Sequence, residues 1–120
     1  MAEHNELGKR GEAIALQYLI QKGYKIIVQN WRYLKDEIDI IARHNSMVVV
    51  VEVKTRSTHE YGEPEEAVSK KKRKYLVRAA DVFLQQRNIQ EETRFDVISI
   101  IINGTQWELN HIEDAFYPTL

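Results

Sequence analysis

Residues 37–54 read EIDIIARHNSMVVVVEVK, two apolar runs that carry carboxylates and a lysine and flank a short polar break. The break is His44-Asn45-Ser46, and asparagine is among the residues that best tolerate the left-handed backbone of a tight hairpin turn. The segment therefore predicts an antiparallel hairpin with strands at about residues 37–43 and 47–54.

The turn also predicts how these two strands pair. If residues 45 and 46 form a two-residue loop, counting back along both strands places Asp39 opposite Glu52. Glu37 then lies opposite Lys54. Directly opposed residues project from the same face of a sheet. A slip of one residue would turn Glu52 and Lys54 away from Asp39, so the whole cluster depends on this register.

The clustered charges point to a chemistry. Asp39 and Glu52 would repel each other unless a cation or a proton lay between them. Oxygen ligands of this kind suit hard ions such as Mg²⁺, Mn²⁺ or Ca²⁺, although Lys54 could supply the positive charge instead. In phosphodiester hydrolysis a metal polarises the phosphoryl oxygen, while a lysine orients the attacking water or stabilises the developing negative charge. The arrangement predicts metal-dependent phosphodiester hydrolysis with one or two ions.

A purely structural role for these charges is the alternative. Glu37 and Lys54 could form a cross-strand ion pair worth at most about 1 kcal/mol on a solvated sheet face. However, the run from Met47 to Val51 is apolar on both faces, as expected of a central strand buried on both sides. Charges at the end of such a strand favour a functional site over an ordinary ion network.

Length and composition predict a single domain over residues 1–120. Of the 120 residues, 43% are hydrophobic, which is enough for one core. The absence of cysteine excludes disulfides, thiol nucleophiles and thiolate metal sites, and the four scattered histidines lack the spacing of a zinc motif. A polar N-terminus and the lack of a long apolar run predict a cytoplasmic protein that does not span a membrane. With a net charge of −1, nucleic-acid binding would depend on local basic patches.

A first helix is predicted from Asn5, as its cap, to about Gln21. Its apolar stripe places Glu12 at one edge. If the stripe docks on the sheet, Glu12 approaches the strand carboxylates. The alternative is a charge at the rim of the helix, paired with Lys9 or Arg10.

A second helix is predicted from about Lys70 to Gln86, capped by Ser69. Its first turns contain five cations, which oppose both the helix dipole and one another. An anion such as a phosphate would relieve this repulsion, which favours nucleic-acid contact over a merely solvated face. A loop predicted at residues 55–64 leaves the end of the site strand and carries Arg56, a further candidate contact. The five cations are Lys70, Lys71, Lys72, Arg73 and Lys74.

The order of elements predicts the fold class. One helix, three strands, one helix and two strands indicate an α/β or α+β domain, with a mixed five-stranded sheet flanked by helices. A parallel pair would join the strands on either side of the long helix. Asp96 is predicted to alternate outward on its strand and to be structural. The remaining predictions are strands at 25–30, 94–102 and 106–112, a first connection at 31–36, a short helical turn at 65–68 and a hairpin turn at Asn103-Gly104.

Five segments spread over nearly the whole chain carry a family resemblance. They are GKRGEA at 8–13, NWR at 30–32, EIDIIA at 37–42, VEVKTR at 51–56 and RFDV at 94–97. On these segments the chain resembles the YraN-like uncharacterised protein family, within the restriction-endonuclease-like superfamily named for the PD-(D/E)XK motif. Ile38 stands where the motif name has proline.

The resemblance implies roles for four residues. Asp39 and Glu52 match the metal-binding acids of the superfamily and Lys54 its catalytic lysine. Glu12 matches the helix acid of archaeal Holliday-junction resolvases, which the family is similar to. The implied fold is restriction-endonuclease-like, and the implied cofactor is Mg²⁺ or Mn²⁺.

The expected function is an endonuclease acting on branched or otherwise structured DNA, and this choice of substrate is analogy. A homodimer that presents two sites to two strands would suit such a substrate. The alternative is a non-catalytic nucleic-acid-binding accessory protein that keeps the nuclease-like fold.

Overall fold

The structure, a computed structural model, describes residues 2–57 and 68–118, with side chains from residue 6 onward. Two helices and five strands make up these residues. Neither helix is long and apolar enough to cross a membrane. In chain order the elements are α1 (Ala2–Gln21), β1 (Lys25–Tyr33), β2 (Asp36–His44), β3 (Met47–Arg56), α2 (Lys70–Gln86), β4 (Glu92–Asn103) and β5 (Gln106–Phe116).

The five strands form one mixed sheet in the order β1-β2-β3-β4-β5. β3 and β4, which lie on either side of α2 in the chain, are parallel, and the other neighbours are antiparallel. This confirms the predicted mixed α/β fold with a five-stranded sheet flanked by two helices. It also confirms that the parallel pair joins the strands around the long helix.

Each face of the sheet packs against one helix. Alternate valines of β3 divide between the two resulting hydrophobic clusters, because successive side chains of a strand point to opposite faces. The prediction that β3 is buried on both sides is therefore confirmed. The cluster with α1 includes Ala15, Leu19, Val49 and Val51, and the cluster with α2 includes Leu76, Phe83, Val48 and Val50.

The predicted register of the central hairpin is confirmed for residues 40–51, but the predicted pairs of Asp39 with Glu52 and of Glu37 with Lys54 are not part of the ladder. Asn45 and Ser46 form the two-residue turn, with φ of 49° and 66°. The ladder runs from His44 opposite Met47 to Ile40 opposite Val51. Asp39 and Glu52 follow immediately beyond the last of these pairs.

Several boundaries differ from the predictions. α1 begins at Ala2 rather than being capped by Asn5, since Ala2 and Glu3 favour the first turn of a helix. β1 continues through the predicted connection to Tyr33, leaving a two-residue turn at Leu34 and Lys35. This extension has a packing reason, because Trp31 and Tyr33 lie against the α2 cluster.

The later boundaries also shift. β3 continues to Arg56, so the predicted loop begins later; residues 58–64 of that loop and 65–67 of the predicted helical turn lie outside the described residues. The bounds predicted for α2 are confirmed, and the Ser69 hydroxyl accepts a hydrogen bond of 3.1 Å from the Lys72 N–H as the predicted cap. The last hairpin is confirmed, but its turn lies at residues 104–105, one residue later than predicted, because Asn103 pairs with Gln106. β5 extends to Phe116.

Gly11 marks the closest approach of α1 to β3. A Cβ added at this position would lie 1.8 Å from the Thr55 Oγ1 atom and 2.8 Å from its Cβ. We therefore expect Gly11→Ala to lower the free energy of unfolding by about 1–3 kcal/mol, as measured by urea denaturation. Thr55→Gly in the same chain should recover part of that loss.

Gly8 provides the matched control on the same helix. A Cβ added there meets no atom within 4 Å, so Gly8→Ala should stabilise the protein by about 0.5–1 kcal/mol through helix propensity. Equal effects of the two substitutions would contradict the close packing of α1 on Thr55.

Candidate functional site

The predicted acidic cluster lies at the end of the β2–β3 ladder. The Asp39 carboxylate accepts a hydrogen bond of 2.7 Å from the Val53 N–H. This bond ties the beginning of β2 to β3 beyond the last residue pair. Glu52 is almost fully buried, with 3% of its surface exposed, and it lies opposite Val97 in the parallel ladder with β4.

The surroundings of Glu52 disfavour the charged form of its carboxyl group. Burial raises its pKa, and the neighbouring Asp39 carboxylate raises it further, to about 8, although Lys72 and Lys54 act in the opposite direction. Among the described residues, no group forms a hydrogen bond with the buried Oε1 atom of Glu52. A buried carboxyl with an unsatisfied oxygen lowers the stability of the fold. Binding of a proton or a cation by Glu52 would offset this cost.

Two lysines approach Glu52 from different elements. The Nζ atoms of Lys54 on β3 and Lys72 on α2 each lie 3.8 Å from Glu52 Oε2. Lys72 is the more enclosed, with 18% of its side chain exposed against 40% for Lys54. Lys54 therefore lies beside Glu52, as predicted, and Lys72 adds a second cation.

Asp36 holds Lys72 in this position. Lys72 Nζ donates to Asp36 Oδ1 at 2.8 Å and to the Glu37 carbonyl oxygen at 3.2 Å. Burial is the largest single influence and opposes the charge on both side chains, but their hydrogen bond and the nearby opposite charges together outweigh it. The pKa of Asp36 is therefore lowered and that of Lys72 is raised. Lys72 therefore links the first turn of α2 to β2 and to the buried acid on β3.

Neither Asp36 nor the inward position of Lys72 was predicted. A signal for Lys72 existed, because Lys72, Leu76 and Phe83 share one face of α2 at spacings of four and seven residues. Because Lys72 lies within a run of five cations, composition alone predicts a surface contact for all of them. Asp36 carries no comparable signal, because its role depends on a contact with α2.

Glu12 reaches the edge of the cluster from α1. Burial raises its pKa, with further contributions from Asp39 and Glu37, while Asn30 lowers it through a hydrogen bond. Arg10, one of the partners considered for a rim charge, instead donates to the Gly104 carbonyl oxygen at 2.9 Å. The structure thus brings Glu12 within electrostatic range of Asp39.

The predicted trio of metal ligands is not assembled as a ready metal site. Within residues 6–57 and 68–118, no three His, Asp or Glu side chains are grouped closely enough to hold an ion together. Asp39 and Glu52 still provide two adjacent carboxylates and one unpartnered buried oxygen, a donor set that fits a hard divalent cation. Glu12 lies outside this pair.

The predicted basic contacts separate into two groups. Arg73 turns toward the protein, where its Nε donates to the Val68 carbonyl oxygen at 3.0 Å and its guanidinium lies 5.6 Å from the Phe116 ring. Arg56 is half-buried at the end of β3. Together with the inward Lys72, this leaves a smaller basic surface than predicted. Its exposed members are Lys70, Lys71 and Lys74.

Asp96 lies away from this cluster in a separate buried network. Its side chain is buried on the α1 face with Ile98 and Ile100, so the prediction that it points outward is wrong. Its carboxylate accepts two hydrogen bonds from Arg94, at 2.9 and 2.8 Å, and contacts His111 Nε2 at 2.7 Å. Removing an acid paired in this way would leave a buried charge without its partner and destabilise the fold. The predicted structural role of Asp96 is consistent with this network.

The fold and the cluster define a class of protein: a small mixed α/β domain with a buried acid pair and two lysines where its central strands end. Within that class, the chain belongs to the family described as "Uncharacterised protein family UPF0102", whose model matches residues 11–100. This confirms the predicted family. The matched range contains Glu12, Asp39, Glu52 and Lys54.

Similar proteins align along essentially the whole chain. The chain is 48% identical to a UPF0102 protein of Bacteroides thetaiotaomicron, with 100% of this chain and 99% of the relative covered. It is 46% identical to one of Christiangramia forsetii, with 98% of each covered. It is 43% identical to one of Phocaeicola vulgatus, with 100% of this chain and 99% of the relative covered.

Proposed function

We infer that this protein is a divalent-metal-dependent endonuclease with a restriction-endonuclease-like fold, and that it hydrolyses phosphodiester bonds in branched or otherwise structured DNA. The observation that carries this proposal is the position of Glu52. Its carboxyl is buried next to Asp39 and within 3.8 Å of two lysines. In a purely structural role, burying these charges at the end of a strand would not be expected to stabilise the fold.

The acid pair suits an ion that the reaction needs. Asp39 and Glu52 would hold Mg²⁺ or Mn²⁺, both of which favour carboxylate oxygens. When bound, such an ion polarises the phosphoryl oxygen and makes the attacking water more acidic.

The lysines and the basic surface supply the remaining parts. Lys54, the more exposed lysine, would orient the attacking water or stabilise negative charge on the phosphate. Lys72 is a positioning residue, because it acts through Glu52 and Asp36 and is largely enclosed. The exposed Lys70 and Lys71 would contact the DNA backbone, as lysines do in sequence-independent binding.

A non-catalytic accessory protein that binds nucleic acid is the second candidate. The observation that favours it is that, among the described residues, Glu12 does not form a three-carboxylate group with Asp39 and Glu52. Such a protein would need only the basic surface.

Cleavage assays separate the two candidates. Labelled four-way junction, flap, single-stranded and duplex DNA are incubated with Mg²⁺ or Mn²⁺ and either the unaltered protein, Glu52→Ala or Lys54→Ala. We expect the unaltered protein to cut at least one substrate and both variants to lose cleavage. No cleavage, with salt-sensitive binding retained by all three proteins, would instead identify the accessory protein.

Metal binding should tighten as the pH rises, because an ion competes with a proton for Glu52. The pKa of Glu52 is raised to about 8, so below that pH the carboxyl must lose its proton before it can bind. The apparent affinity for Mn²⁺, measured by calorimetry, should therefore increase about tenfold per pH unit from about pH 6 to pH 8 and then level off.

The same ion should raise the melting temperature of the unaltered protein, and Glu52→Gln should remove that rise. Glu92→Gln, the same change at an exposed residue of β4, is the matched control and should leave it intact. In the calorimetric experiment, an affinity for Mn²⁺ that does not vary between pH 6 and pH 8 would show that the ion does not bind through Glu52.

A further inference from the structure

A groove lies next to the acid cluster, at the tip of the β1–β2 hairpin. It has a volume of about 760 Å³ and shares two lining residues, Asp36 and Lys72, with the cluster. Leu34 forms part of its rim and is 70% exposed. A single exposed leucine is common on protein surfaces, so its significance here depends on the backbone and the charges around it.

The backbone at Leu34 is unfavourable for the residue that occupies it. Leu34 is the first residue of the two-residue turn and has φ of 58°. The β4–β5 turn has the same pattern of a positive φ at its first residue, and there the residue is Gly104, with φ of 63°. Leucine has neither the freedom of glycine nor a side chain that can hydrogen-bond the turn. A strained turn residue that also exposes an apolar side chain indicates a functional role.

The charges around Leu34 identify the kind of partner. Lys35 and Lys71, both exposed, line the groove together with Lys72. A second copy of this chain docked through the same face would bring lysines close to lysines, which repel each other. A polyanion would instead be attracted to these positive charges. The aromatic ring of Tyr75 also lines the groove, and bases pack well against such rings.

We propose that Leu34 is a wedge that inserts between neighbouring bases at the branch point of a DNA substrate, while Lys35 and Lys71 bind the flanking phosphates. Apolar side chains inserted at a base step unstack it and favour DNA that is already distorted. A branch point has an interrupted stack, so the wedge meets less resistance there than in intact duplex. This inference rests on the proposed function and specifies how the same site selects its substrate.

DNA binding without divalent ions tests the wedge independently of cleavage. The probe is a four-way junction with 2-aminopurine at the branch, whose fluorescence rises when the base unstacks, compared with a linear duplex of the same sequence. Leu34→Gly removes the side chain and relieves the turn, so its melting temperature should equal or exceed that of the unaltered protein. Ile20→Ala is the matched control, since Ile20 is a 47% exposed aliphatic residue in the last turn of α1.

We expect Leu34→Gly to bind the junction at least about tenfold more weakly and to lose the fluorescence rise. Its affinity for linear duplex should be unchanged, and Ile20→Ala should behave like the unaltered protein in every assay. Unchanged junction affinity and fluorescence in Leu34→Gly would overturn the wedge and leave the proposed nuclease intact. Loss of self-association in Leu34→Gly, with junction binding unaffected, would overturn it in favour of a protein interface. Failure of the unaltered protein to bind any DNA would overturn both proposals.

Discussion

Glu52→Gln should abolish metal-dependent cleavage and, at about pH 9, raise the free energy of unfolding of the metal-free protein by on the order of 3 kcal/mol. The stability gain follows from the buried position of the carboxyl. Burial and then Asp39 raise its pKa from 4.5 to about 8, and each pKa unit corresponds to about 1.4 kcal/mol. Glutamine has the same shape without the charge, although it retains part of the cost of burying a polar group.

The pH dependence has a definite sign. Because the folded state holds the Glu52 proton more tightly than the unfolded state, the stabilising contribution is fully present below about pH 4.5 and is lost as the pH rises through about 8. Urea unfolding should therefore show the smallest difference between the two proteins at low pH and the largest above pH 8. Glu92→Gln, at an exposed position, should change neither cleavage nor stability. A Glu52→Gln protein that is less stable at high pH would show that the carboxylate is structurally satisfied.

Asp96→Asn should lower the free energy of unfolding by about 3–5 kcal/mol at pH 7, the range found when one partner of a buried ion pair is removed. The Asp96 side chain has no exposed surface. It accepts two hydrogen bonds from Arg94 and a third, of 3.0 Å, from the Asp114 N–H. Asparagine would turn an amide donor toward donors and leave the Arg94 charge poorly compensated. Urea denaturation at neutral pH measures the loss.

Glu113 offers a control that contacts the same arginine. Its carboxylate lies 3.4 Å from Arg94 Nη1, but its side chain is 60% exposed, so Glu113→Gln should cost less than about 1 kcal/mol. Burial opposes the Asp96 charge, but its bonds to His111 and Arg94 hold the pKa of Asp96 below its ordinary value. Its contribution is therefore present above the unfolded pKa and is lost as the pH falls through the lower folded pKa. Equal losses for the two variants would contradict the role of burial in this network.

The central hairpin shows which features of the fold can be predicted from the local sequence pattern. The polar break at Asn45-Ser46 and the alternation around it were sufficient to predict the register, and with it the approach of Asp39 to Glu52. This works because strand periodicity and turn geometry depend on neighbours in the chain. Alternation along β4 correctly predicts that Asp96 shares a face with Ile98 and Ile100, but the prediction that this face is exposed is wrong, because α1 covers it. Alternation says which residues share a face, and only packing says what covers it.

The boundaries of β1 and the roles of the five cations at 70–74 cannot be predicted from the local sequence pattern. Trp31 and Tyr33 belong to a strand because α2 covers them, a contact between elements far apart in the chain. Arg73 packs over Phe116, and Lys72 turns inward to Asp36, although both belong to one run of cations. Composition alone could not separate them from Lys70 and Lys71.

The sequence by itself determined the family, the mixed α/β class, the two helices, the central hairpin and its register, and the grouping of Asp39, Glu52 and Lys54. Each of these depends on periodicities and turn preferences that act over a few residues, or on motifs that can be read along the chain. Only the tertiary structure decided that Lys72 and Asp36 complete the cluster, that Glu12 stays at its edge, and that Leu34 stands exposed beside it. Burial and charge at these positions arise from the packing of α1 and α2 on opposite faces of the sheet, and the free energy of such contacts depends on which distant residues meet.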